Sequence, residues 1–209
     1  MDEGYIKFNC QWLKEKSDDG INISDINLWR NRLRGIGLIG VYENGIGFGN
    51  ISSRLENNHF LISGSATGSI PKPNKDHYTV VTDYNLEQNN LTCKGPIKAS
   101  SESLSHAVIY ECDPSVNAVI HVHSMKLWSE LLHVLPTTNA SVAYGTPEMA
   151  MEIKRLFEEC AIEKHSTIIM GGHEEGILVF GKSMDEAGDK ILELFYVHEK
   201  LHGTLNKPH

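Results

Sequence analysis

His121-Val122-His123 is the stretch of this sequence best suited to chemistry. Successive side chains on a strand alternate between faces, so the two imidazoles emerge on one side, a strand-step apart. Such a pair can chelate one ion, with metal–nitrogen distances of about 2.0–2.1 Å for zinc. Val119 shares their face, while Ile120 and Val122 point into a core on the other. His173 sits between Gly171-Gly172 and Gly176, where a turn between two strands can present a side chain rigidly to a cleft. A third imidazole completes the usual protein complement of a catalytic zinc site and leaves a position open for water or substrate. The plain alternative is a set of ordinary histidines, since the chain holds eleven. His106 is another candidate third ligand but reads better as a helix-surface or packing residue. His133, His165, His198, His202 and His209 read as exposed.

Glu102 follows Ser100 and Ser101 at an expected helix start. An acidic residue there favours the helix dipole, which alone would account for it. The same place also offers free backbone N–H groups and two hydroxyls, a ready site for an anion. A carboxylate beside a metal-held substrate can act as general acid or base. Gly49-Asn50-Ile51-Ser52-Ser53-Arg54 adds an amide, hydroxyls and a guanidinium, and Ser63 to Ser69 is a small-residue loop able to cradle phosphate or simply to turn. Neither is a P-loop, because no Gly-Lys-Ser/Thr follows, and neither carries a dinucleotide fingerprint.

These groups need a scaffold, and the periodicity supplies one. A first helix is expected from Ser24 as N-cap, with Ile26, Trp29, Leu33 and Ile36 on one stripe, ending near Gly35 to Gly37. A strand pair follows around Ile51 to Arg54 and His59 to Ser63. A second helix runs from the Ser100-Ser101-Glu102 step to about Cys112, where Asp113-Pro114 stops it. Ala118 to His123 reads as a buried strand. Thr146-Pro147-Glu148 opens a helix with Met149, Ile153, Leu156, Phe157 and Cys160 on its apolar face. Thr167 to Met170 and Ile177 to Phe180 read as strands. Ser183-Met184-Asp185-Glu186 is a capping box for a last helix that buries Ala187, Ile191, Leu194 and Phe195. Strands and helices mix along one domain, residues 1–209, which gives an α/β or α+β layered class.

Composition narrows the partners. Hydrophobic residues make up 40% and charged residues 22% of the 209, ordinary for a soluble globular chain. A net charge of -8 argues against nonspecific binding to nucleic acid or an anionic membrane. A small anionic substrate stays open, because a pocket can be locally positive. Cys10, Cys93, Cys112 and Cys160 form no Cys-x-x-Cys pair, and the first ten residues hold no apolar signal region. Reduced thiols and a cytoplasmic location are the expectation. No apolar run approaches the ~20 residues that span a bilayer.

In order and rough spacing, these motifs resemble the class II aldolase/adducin family, typified by zinc-dependent fuculose-phosphate aldolases. The matching residues are Gly49-Asn50-Ile51-Ser52, the Ser/Thr/Gly loop from Ser63, Ser100-Ser101-Glu102, His121-Val122-His123, and His173 followed by Phe180-Gly181 and the Glu186-Ala187 helix. The match in order and spacing extends from about Asn27 to Phe195. The resemblance implies a three-layer α/β fold, with a central, mainly antiparallel sheet flanked by helices. It implies a cyclic homotetramer with metal sites at subunit interfaces. It also implies one divalent metal per chain, zinc by expectation, on His121, His123 and His173. Glu102 matches a carboxylate that can ligate the resting metal and shuttle the substrate proton. Asn50, Ser100 and Ser101 match phosphate or enediolate binders, with Thr67 and Gly68 the remaining phosphate contacts and Ser65 an alternative. Two features depart from the pattern. Glu174 and Glu175 follow the third histidine where a glycine is common, adding two carboxylates near the metal. Tyr144 lies in the region of a tyrosine that protonates the departing aldehyde in some aldolases, but out of clear register.

The function so implied is reversible retro-aldol cleavage of a small-molecule sugar phosphate, a phosphorylated ketose, through a metal-stabilised enediolate with Glu102 as acid and base. The same logic serves a dehydratase, an epimerase or a decarboxylase. A non-catalytic adducin-like scaffold is a different class, and it would need neither the three histidines nor Glu102. A structural zinc site is typically closed by four protein ligands with cysteine prominent, and no cysteine lies near the histidines in sequence.

Overall fold

Two segments, Ala118 to His123 and Gly176 to Gly181, are buried at every position and not only at alternate ones, as befits strands covered on both faces. In the computed structural model they lie side by side at the heart of one sheet. The structure describes residues 5–160 and 162–203, with side chains except at positions 163, 199 and 201–203. Its elements are β1 (Asn9–Lys14), α1 (Ser24–Gly35), β2 (Gly40–Val41), β3 (Gly47–Phe48), β4 (Asn50–Arg54), β5 (Phe60–Ser63), β6 (Tyr78–Asn85) and β7 (Asn90–Gly95), then α2 (Ser103–Cys112), β8 (Ala118–His123), α3 (Met125–Leu131), α4 (Pro147–Glu159), β9 (Thr167–Ile169), β10 (Gly176–Gly181) and α5 (Met184–Gly203).

Eight strands form the sheet in the order β1-β7-β6-β5-β4-β8-β10-β9, and β2 and β3 make a separate hairpin. Every pairing in the large sheet is antiparallel except β1 with β7. The mainly antiparallel α/β architecture expected from the sequence is the one found.

The alternation along β8 and β10 sorts the core into two layers. Val119, Leu178 and Phe180 pack with Leu104 and Val108 of α2 and Met149 and Ile153 of α4. Ile120, Val122, Ile177 and Val179 pack with Trp29 and Leu33 of α1, Leu127 of α3 and Ile191 of α5. Each fully buried large apolar side chain contributes about 1.5–3 kcal/mol, so β8 is clamped from both sides. His121 and His123 share the phase of Val119 and emerge toward α2. No described helix is long and apolar enough to cross a membrane.

Most of the expected elements appear, with local corrections. Ser24 is not the cap of α1. Ile23 holds that position, and the Ser24 N–H donates to Asn22 Oδ1 at 2.9 Å, so Asn22 supplies the acceptor. Thr146 does cap α4, accepting from Met149 N at 3.3 Å, with Pro147 at the first turn. Ser183 accepts from Glu186 N at 3.1 Å, but the Glu186 carboxylate reaches Lys182 N and not Ser183 N. The capping box is thus displaced by one residue. Leu194 and Phe195 are only half-buried, and Leu192 joins Ala187 and Ile191 in the core. His133 and His165 are exposed as expected. His198 is buried against expectation, because α5 folds back on α3 and brings it onto Glu130. The side chain of His202 and the whole of His209 lie outside the described residues.

Candidate metal centre and active site

Two segments deliver the three histidines. The β8 period puts His121 and His123 on one face, and their Nε2 atoms lie 3.0 Å apart. His173 arrives from the turn between β9 and β10. Gly172 makes that turn possible, because a Cβ there would stand 1.7 Å from the Val142 carbonyl oxygen. The His173 ring centroid lies 5.1 Å from that of His121 and 4.8 Å from that of His123. All three side chains are buried, and one nitrogen from each falls within 4.8 Å of the others.

The protonation of His121 suits ligation. Burial, then the neighbouring His123 and His173, hold the His121 imidazole well below its usual pKa, so it is neutral. Its Nδ1 lies 3.2 Å from the Ile177 carbonyl, which can only accept. The proton therefore sits on Nδ1 and the Nε2 lone pair faces the cluster. Three imidazoles converging in a buried space fit a divalent ion by donor type and number.

Glu102 ends the turn into α2 at the N-cap position, yet its side chain makes no cap hydrogen bond. The carboxylate is 1% exposed and turned inward. Ser105 Oγ donates to its Oε2 at 2.6 Å, and its Oε1 lies 3.7 Å from His173 Nδ1. The dipole role open to an acidic first-turn residue is not what this geometry uses.

Asn50, Thr67, Gly68, Ser100 and Ser101 line one small cleft, together with Ser65 and the glycines of the neighbouring loops. Gly49 turns the chain into β4 at φ +74°, where a Cβ would crowd Ile39 and the His121 carbonyl. Asn50 Oδ1 is buried without a hydrogen-bond partner among the described residues. Thr67 Oγ1 donates to the Gly64 carbonyl at 2.8 Å, and Ser103 Oγ donates to that of Ser100 at 2.7 Å.

Two neighbours, Arg30 and Tyr42, carried no sequence signal, and others take places the sequence left open. Arg30 of α1 is buried and donates to the Thr67 and Ile70 carbonyls at 2.5 and 2.9 Å, pinning the loop that borders the cleft. Its charge is desolvated, which lowers its pKa. Tyr42 reaches His123 from the β2–β3 hairpin, with Oη 2.8 Å from Nδ1. The two acidic residues after His173 part company: Glu174 is exposed, while Glu175 turns back and accepts from Tyr42 at 2.6 Å. Tyr144 is buried and stacks on His173 with centroids 4.4 Å apart, and Lys7 Nζ lies 3.8 Å from its ring centroid. His106 is no surface residue. It is wholly buried, with Nδ1 2.7 Å from Ser52 Oγ, and stands outside the three-histidine cluster. Complete burial pushes its pKa down to about 3.

Comparison with known proteins agrees with this fold. The model of the class II aldolase and adducin N-terminal domain matches residues 44–199. Among solved structures, a sugar-phosphate aldolase from Thermotoga maritima superposes with a TM-score of 0.67 at 18% identity, covering 90% of this chain and 97% of that one. An L-fuculose 1-phosphate aldolase gives 0.62 at 18%, covering 92% of each chain. YgbL from Klebsiella pneumoniae, assigned provisionally as an aldolase/epimerase/decarboxylase, gives 0.63 at 20%, covering 88% of this chain and 89% of that one. At such identities the likeness is one of fold. No curated protein matches the sequence.

Proposed function

The chain belongs to the class II aldolase and adducin family, and from that premise we propose that it is a cytoplasmic, metal-dependent lyase that cleaves a phosphorylated ketose by a retro-aldol reaction. His121, His123 and His173 would hold one divalent ion per chain, with zinc as the proposed metal. Bound there, the ion would supply Lewis acidity to the substrate oxygens beside the bond that breaks.

Glu102 is the group to move the proton. Its Oε2 is engaged by Ser105, and its Oε1 stands beside His173. In cleavage the substrate hydroxyl would give up its proton as its carbon becomes the carbonyl of the departing aldehyde, and Glu102 would deliver one proton to the carbon left behind. In synthesis Glu102 would remove that proton and the new alkoxide would regain one. Asn50, Thr67, Gly68, Ser100 and Ser101 would hold the phosphate and the sugar end nearest it. Asn50 Oδ1 is an acceptor, so a substrate hydroxyl suits it better than a phosphate oxygen, and its amide nitrogen remains to donate. Holding the phosphate fixes the reacting carbons relative to the carboxylate, which lowers the entropic part of the barrier. Assembly as a homotetramer belongs to the same reading, and sedimentation of the purified chain tests it.

The observation that carries this reading is the buried Glu102 carboxylate 3.7 Å from one member of a buried three-histidine cluster. A non-catalytic scaffold has no use for such a costly arrangement. The test is metal analysis of protein purified without chelator, with a panel of ketose phosphates and the Glu102→Gln variant. About one zinc per chain, with cleavage to a carbonyl product that the variant loses, supports the lyase. Metal without cleavage points to epimerase, dehydratase or decarboxylase chemistry at the same place, and absence of metal overturns the site.

A further inference from the structure

The hydrogen bonds behind His123 form a chain whose direction can be assigned. His123 Nδ1 lies 2.8 Å from Tyr42 Oη, which lies 2.6 Å from Glu175 Oε2. A carboxylate only accepts, so the single phenol proton goes to Glu175. Tyr42 Oη must then accept from His123, which puts the imidazole proton on Nδ1. The Nε2 lone pair is left facing His121 Nε2, 3.0 Å away.

The backbone gives independent reason to single out Glu175. It stands at φ +69° in the tight turn after His173, a left-handed conformation that glycine adopts freely and a glutamate does not. The turn favours glycine, and the chain has a side chain there that reaches Tyr42. Tyr42 is held with similar care. The β2–β3 hairpin closes on it, with Tyr42 N donating to the Ile46 carbonyl at 2.8 Å. Its ring packs on Phe48 at 4.5 Å, and Phe48 packs on His123 at 5.5 Å. The small hairpin outside the main sheet thereby delivers a hydroxyl to the back of the imidazole. His121 has only the neutral Ile177 carbonyl in the equivalent place.

We propose that Tyr42 and Glu175 are positioning residues for His123, fixing its tautomer, aiming Nε2 into the cluster and passing it negative charge through the phenol. The proposal rests on the metal-holding reading above. Outer partners of this kind raise the basicity of a ligating imidazole, and their loss typically weakens metal binding by about 10–100-fold.

The experiment compares the parent chain with Glu175→Gly, Tyr42→Phe and the double variant. Three quantities are read: the zinc dissociation constant by competition with a chromophoric chelator, the thermal midpoint of the metal-free protein, and the visible bands of the cobalt-loaded protein. Glu175→Gly should raise or preserve the midpoint, because glycine relieves the strained φ, while weakening zinc about 10–100-fold. Tyr42→Phe should weaken zinc by a similar factor, and the double variant should be no weaker than the worse single one, since the two act in series. In the cobalt-loaded protein the visible ligand-field bands should shift in both single variants, which a loss of packing far from the ion would not produce. Zinc binding within twofold of the parent in both single variants overturns the proposal and leaves the metal centre standing. A parent chain that binds no zinc overturns both.

Discussion

Asn50 and His121 are directly opposed across the antiparallel pairing of β4 with β8. Opposed residues share a face of the sheet, so the amide emerges beside the imidazole. This register ties the small cleft that Asn50 lines to the histidine cluster. A ligand anchored in the first would extend toward the second.

Asn50→Asp keeps the size and shape of the side chain but replaces a donor with a carboxylate that repels phosphate. On the lyase reading, it should reduce kcat/KM by about 10–100-fold, the worth of a hydrogen bond to a charged group. Most of the change should fall on KM. Steady-state kinetics on the cleaved ketose phosphate check this, and an unchanged KM would remove Asn50 from the substrate site.

Arg30 acts at one remove. Its guanidinium bridges the Thr67 and Ile70 carbonyls from inside the fold. A lysine has the charge but not the two-pronged geometry. Arg30→Lys should cost about 2 kcal/mol of stability by urea unfolding and raise KM with little effect on kcat, because the loop bordering the cleft loses its tether. Equal stability and equal KM would show the tether to be idle.

The neutral, buried His106 sets an acid limit on the fold. Its pKa is pushed down to about 3 from an ordinary 6.5 by burial alone. In the unfolded chain the ring takes up a proton below pH about 6.5, while in the folded chain it stays neutral. Its contribution is therefore fully present above pH about 6.5 and is lost as pH falls toward 3, at up to about 1.4 kcal/mol per pH unit. Urea unfolding of metal-free protein at pH 7 and pH 5 should show a drop in which His106 accounts for about 2 kcal/mol. His106→Gln can still meet the Ser52 hydroxyl and should shrink the drop by that amount. An identical drop in parent and variant would show that burial does not hold the ring neutral.

What could be read from the sequence follows from how local each signal was. His121 and His123 needed only the two-residue period of a strand, and Glu102 only a helix start, so both were legible. The cleft residues were legible as motifs, because each lies in a short run of glycines and hydroxyls. Arg30 and Tyr42 were not, since each meets the site only through tertiary packing of α1 and of the β2–β3 hairpin. Glu174 and Glu175 are equivalent as neighbours in sequence, and the fold separates them: Glu175 has a positive φ and meets Tyr42, while Glu174 faces solvent. His198 misled for a related reason: nothing local announces that α5 returns to Glu130. The strands β1, β6 and β7 carry no chemical motif to draw the eye, although Thr79-Val80-Val81-Thr82 is a β-branched run that marks β6.

Gly172 offers the sharpest test of how His173 is delivered. The space beside it is taken by Val142, whose carbonyl carbon and oxygen would lie 2.6 and 1.7 Å from an added Cβ. Those are backbone atoms and cannot swing aside as the end of a flexible side chain can. Gly172→Ala must therefore move one of two loops, and the turn carrying His173 is the shorter. The expected result is a loss of about 1–3 kcal/mol from overpacking, with zinc stoichiometry well below that of the parent. Glu174→Ala, an exposed change in the same turn, should leave both values alone. Equilibrium unfolding and metal analysis on the two variants separate the cases: full metal content in Gly172→Ala would mean that His173 is placed by its own packing on Tyr144 and not by the turn.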